Sequence, residues 1–81
     1  SYFENAASSF FMAGDYGKAL LYSDKVINKL NPKTGKSEYI NALVHFNIGG
    51  AKLACQQLQK AIDFGFTQAQ ETYDQRCNTA Q

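Results

Sequence analysis

The stretch GDYGKALLYSDKVI, from Gly14 to Ile27, returns 35 residues later as GGAKLACQQLQKAI, from Gly49 to Ile62. Gly14, Ala19, Lys25 and Ile27 align in strict register with Gly49, Ala54, Lys60 and Ile62, while Lys18 and Lys52 stand one residue out of step. A period of this size marks a unit too small to bury a core alone, which gains one by stacking on its copy. The repeat predicts a short helical solenoid, and such stacks usually serve to hold another protein.

Working outward from the first copy, Phe3, Ala6, Ala7, Phe10 and Phe11 are spaced as the apolar stripe of a helix over about Tyr2 to Ala13, and Gly14 suits its left-handed stop. Asp15 is a natural N-cap for a second helix carrying Ala19, Leu20, Tyr22, Val26, Ile27 and Leu30, which ends before Asn31-Pro32. NPKTGK, Asn31 to Lys36, has loop composition and joins two helical hairpins. A third helix is expected from Ser37 to Ile48, with Tyr39, Ile40, Leu43, Val44 and Phe46 on its apolar side, and a fourth from Ala51 to Phe64. Gly65 breaks the pattern, and Thr67 to Gln70 has the form of a capping box opening a fifth helix. Its apolar stripe is thin (Ala69, Tyr73, Cys77, Ala80), and Gln68, Glu71, Asp74 and Gln75 make its other side polar, as the last helix of a stack requires. The expected fold is all-α: one continuous superhelical domain of two hairpins, 1–34 and 35–66, closed by a capping helix, 67–81.

Composition agrees with a folded helical chain. Among 81 residues 44% are hydrophobic and 14% aromatic, and Pro32 is the single proline. At this size one core is marginal, so neighbours or a covalent staple are expected to help. Net charge is +1, with the basic residues spread along the chain, which is not the footprint of a nucleic-acid binder. The apolar runs fall far short of the ~20 residues needed to cross a bilayer. Ser1 is not an initiator Met and Tyr2 already belongs to the first helical period, which fits processing, truncation, or further repeats or subunits N-terminal to Ser1.

These residues resemble the tetratricopeptide repeat (TPR), whose pattern is W-x2-L-G-x2-Y, then A-x3-F, then P over ~34 residues. In the first unit those places hold Phe3, Ala6, Ala7, Phe10, Ala19, Ser23 and Asn31, with Pro32 one residue late and Gly14-Asp15-Tyr16 at the hairpin turn. In the second they hold Glu38, Asn41, Ala42, His45, Ala54, Leu58 and Phe66, so the second half fits and the first half puts polar residues where a core belongs. Ala54 to Cys77 is also similar to the C-terminal repeats of bacterial exported TPR proteins; a Sel1-like αα-hairpin repeat is the competing resemblance. The TPR resemblance implies a peptide or partner protein bound on the concave face, with no cofactor. Its groove residues follow the Trp, Gly and Tyr places, here Glu4, Ser8 and Phe11, then Tyr39, Leu43 and Phe46. A slide of the third helix by one residue is the alternative, making Tyr39, Leu43 and Phe46 core and turning Glu38, Asn41 and His45 outward. Burial at ~25 cal/mol/Å² favours the slide unless a partner or preceding repeat covers those side chains.

Cys55 and Cys77 are nearly equidistant from Gly65-Phe66, so a helical hairpin folded there brings them to similar heights on inward stripes. A disulfide would staple the last helix and imply an oxidising compartment, a periplasm or cell envelope. Two buried thiols in a cytoplasmic protein are the other reading. Two cysteines, His45 and scattered carboxylates lack the close spacing of a zinc module, and His45 has no nucleophile or paired carboxylate beside it in the pattern, so neither metal binding nor catalysis is expected. The expected function is a non-catalytic binding scaffold, or alternatively a structural C-terminal part of a larger envelope assembly subunit.

Overall fold

The structure, a computed structural model, describes residues 2–30 and 33–77. Asn31, Pro32 and Ala80, assigned above to the joint and to the last stripe, lie outside those residues, as does the end of the capping segment. Five α-helices follow one another: α1 (Tyr2–Met12), α2 (Tyr16–Lys25), α3 (Lys36–Asn47), α4 (Ala51–Asp63) and α5 (Thr67–Arg76). Among the described residues no strand is present, so the all-α expectation holds.

Local chemistry sets most of the boundaries. Gly14 takes a φ of +82°, where a side chain would be strained, and turns α1 into α2. The Asp15 carboxylate accepts from the Lys18 amide at 3.2 Å, the expected N-cap. Most helix ends fall within one residue of expectation, and two features differ in kind. α2 stops at Lys25 and continues as a π-helical turn, Val26–Leu30. The capping box also does not form: Thr67 is already helical, and Phe66 stands at the N-cap without a side-chain bond.

α1 pairs with α2 and α3 with α4 as antiparallel hairpins; α3 also packs on α2 and α1, and α5 on α4. Each element therefore leans on its chain neighbours, the pattern of a short stack. In the first hairpin Tyr22 lies edge-on between Phe3 and Phe10, at ring separations of 6.0 and 5.2 Å. Lys25 caps the outer face of the Phe3 ring at 4.7 Å. The second hairpin and α5 share one core, in which Leu58 is ringed by Ala42, Ala54, Ala61, Ala69 and Cys77. Alanines allow the helices to approach closely, and Leu58 fills the space that remains.

The third helix meets the sliding alternative only in part: Tyr39 and Phe46 pack against the Leu58 cluster as it expects, but Glu38 and Asn41 do not turn outward. Glu38 and Asn41, expected to face outward in that register, are buried, and so are Ser37, Ile40, Ala42 and Val44. Tyr39, Leu43 and Phe46 are half-buried. α3 is the central helix of the stack and is covered on two sides, so the single apolar face read from its sequence was too narrow a description.

Candidate functional site

The six residues expected to line a concave face fall into three environments. Glu4 is buried, and its Oε2 accepts from Ser37 Oγ at 2.8 Å and Thr34 Oγ1 at 3.3 Å. It joins α1 to the start of α3 and is a structural strut, not an open contact. Replacing Glu4 with alanine would leave the Ser37 hydroxyl buried without this acceptor, a loss of about 1–3 kcal/mol. Urea unfolding should show that loss, and Glu4→Gln, which keeps an acceptor oxygen, should recover part of it.

Tyr39 and Phe46 belong to the second environment, beneath α5. The Tyr39 ring lies 5.1 Å from the Phe66 ring. Its hydroxyl is 3.4 Å from Thr72 Oγ1, and because Thr72 gives its own proton to the Gln68 carbonyl at 3.3 Å, Tyr39 is the donor. The Arg76 guanidinium sits 4.2 Å above the Phe46 ring. Both aromatics also pack against the Leu58 cluster.

Ser8, Phe11 and Leu43 form the third set, half-buried and uncommitted to α5 by any of these bonds. Ser8 and Leu43 hold the same place in their two hairpins, 35 residues apart, on first helices that touch. Phe11 is tilted against Tyr16 across the first turn at 5.6 Å.

Cys55 on α4 and Cys77 just beyond α5 are joined as a disulfide, with Cα atoms 5.9 Å apart. The equal heights inferred from the distance of each cysteine to Gly65-Phe66 are met. The bond fixes the far end of α5 to α4, while the Gly65 turn fixes the near end.

A polar network that residue patterns did not reveal crosses the interior. Asn41 Nδ2 donates to Ser23 Oγ at 3.0 Å and to Asp24 Oδ1 at 2.8 Å, Ser23 donates onward to the Leu20 carbonyl at 3.1 Å, and Gln57 Nε2 donates to Asn41 Oδ1 at 3.2 Å. It links α2, α3 and α4 where the repeat motif would place apolar side chains. The only clue in the sequence was that the tetratricopeptide resemblance sets Ser23 and Asn41 at places where it expects apolar residues.

His45 lies half-buried in the last turn of α3, its ring beside Gly50 at the α3–α4 turn. Among the described residues no group of three or more histidine, cysteine or carboxylate side chains could hold a metal ion, no helix is long and apolar enough to cross a membrane, and no pocket is formed. Comparison with family models, curated proteins and solved structures finds no match to this chain.

Proposed function

We propose that this chain is a non-catalytic protein-interaction module of the tetratricopeptide type, holding a peptide or partner protein along the face shared by α1 and α3. The observation that carries the reading is the side-by-side contact of α1 and α3 with Ser8, Phe11 and Leu43 left half-buried along them. A shallow surface of this kind suits an extended or helical peptide better than a small molecule, which needs a concave pocket to cover most of its area. The Cys55–Cys77 bond supports an oxidising compartment, such as a bacterial periplasm or envelope, because thiol pools reduce most disulfides in the cytosol.

A second reading, a structural subunit of a larger envelope assembly, is favoured by the α1–α2 end. There Tyr2 is 75% and Leu21 63% exposed, near the Phe3–Tyr22–Phe10 cluster. A further helical hairpin stacked on that end would cover them.

The binding reading is tested with peptides selected from a random displayed library on the oxidised protein. Their affinities are then measured by fluorescence anisotropy against Leu43→Glu and Phe11→Ser. At least a ~10-fold loss is expected in each variant, about 1.4 kcal/mol or more, with the helical circular dichroism unchanged. Equal affinity for wild type and both folded variants would reject this face as the binding surface.

A further inference from the structure

We infer that α5 is a redox-held cover over the aromatic strip of α3, and that opening the Cys55–Cys77 bond frees that strip for a partner helix of α5-like chemistry. This rests on the binding-module reading above and adds its regulation and the class of partner.

α5 is ten residues long, and within it Ala69 alone is fully buried. A helix of that length is marginal in water, so its place depends on tertiary contacts and on its tether. Among the described residues its contacts with the rest of the fold include Ala69 and Tyr73 against the Leu58 cluster, Thr72 under the Tyr39 hydroxyl, and Arg76 over Phe46. Thr67, Gln68, Gln70, Glu71, Asp74 and Gln75 are exposed. The disulfide is the one covalent contribution, and it acts at the end farthest from the Gly65 turn. Cys77 is buried while Cys55 is half-buried, so Cys55 is taken as the half of the bond that a reductant reaches.

The exchange requires a dithiol reductant of the Cys-x-x-Cys class. Its thiolate attacks Cys55 Sγ, the Cys55–Cys77 bond breaks, and Cys77 leaves as a thiolate that takes up a proton. The reductant's second thiol then attacks the mixed disulfide, releasing Cys55 as a thiol and leaving the reductant as a disulfide. Two electrons and two protons pass to the chain in total.

With its far end released, α5 can lift about Gly65 and uncover Tyr39 and Phe46. These are two of the six residues that the TPR resemblance assigned to a groove, and α5 shows what such a strip accepts. The occupant is an amphipathic helix presenting an aromatic ring, then a small residue, a hydroxyl and a cation in the places of Phe66, Ala69, Thr72 and Arg76.

The test uses the full chain, oxidised, reduced with dithiothreitol, and as the double variant Cys55→Ser/Cys77→Ser. Hydrogen exchange by mass spectrometry should show residues 67–76 losing at least ~10-fold in protection in both reduced forms, while α2, α3 and α4 keep theirs. Hydroxyl-radical labelling of Tyr39 and Phe46 should rise severalfold, and excess synthetic peptide spanning residues 64–77, with serine at position 77, should suppress it again. Unchanged protection of α5, loss of protection throughout the chain, or failure of the peptide to shield Tyr39 and Phe46 would each overturn the proposal. None of these readouts involves Phe11 or Leu43, so failure here is distinguishable from failure of the binding reading.

Discussion

Gly35→Ala is expected to lower stability by about 2–5 kcal/mol, the sum of two separable effects. Gly35 has a φ of +84°, where an L-residue costs roughly 1–2 kcal/mol. A Cβ there would also stand 2.7 Å from Phe66 Cβ and 2.8 Å from the Ala61 carbonyl oxygen. The carbonyl belongs to the α4 backbone and the Cβ to the root of a side chain, so neither can swing away, and overpacking of this kind costs about 1–3 kcal/mol more. For a domain of this size the melting temperature should fall on the order of 10–30 °C. Gly49→Ala is the matching control: its φ is +91°, but nothing lies within 4 Å of an added Cβ. It should lose only the conformational part, and equal losses in the two variants would show that the close approach of Gly35 to α4 is not the cause.

Leu58→Ala should cost about 3–5 kcal/mol, toward the upper end for a leucine truncation. Leu58 heads the fully buried side chains by volume among the described residues; the other buried members of its cluster are four alanines and Cys77, with Tyr39, Phe46, Ile62, Phe66 and Tyr73 packed around them. Alanine has no rotamer with which to fill a void, and Cys77 is pinned by its bond to Cys55, so any collapse of the cavity falls to the half-buried side chains around the cluster. A domain of 81 residues has a total stability of roughly 4–12 kcal/mol. The variant should therefore be partly unfolded at 37 °C, and urea titration at 25 °C would give its midpoint. A loss under ~1.5 kcal/mol would mean that those half-buried side chains move inward and fill the space.

Leu58 and Ser23 hold the same place in the two copies of the repeat, and the comparison shows how far the sequence could be read. Leu58 is apolar at a place where apolar residues belong, and its burial was legible. Ser23 is polar at that place, yet it is as fully buried, because Asn41, 18 residues away, supplies its hydrogen bond. Glu4 is likewise satisfied by Ser37, 33 residues away. Helical periodicity is a local signal and carries no record of a partner so distant, so buried polar residues on α1 and α3 read as exposed ones. The sliding register for α3 looked favourable because it buries three large side chains, and Glu4 came to the concave face from the repeat resemblance; neither argument could register the distant hydroxyl and amide partners. The helices themselves were legible because their causes are local: an apolar stripe, a glycine stop, an aspartate cap. The candidate site was legible only as a set of places in a motif, since what α5 covers depends on where the chain returns.

The two cysteines lie 22 residues apart, both toward the C-terminal end of the chain. Mechanical load is therefore shared unevenly. Pulled between its ends, the chain would first lose the α1–α2 hairpin, whose fully buried residues are Ala7, Ala19, Ser23 and Val26 and which no covalent link protects. The segment from Cys55 to Cys77 could not lengthen at all until its bond was reduced. An oxidised molecule would accordingly yield a contour shorter by that locked segment than a reduced one. Its first rupture would come from the end that carries the exposed Tyr2 and Leu21.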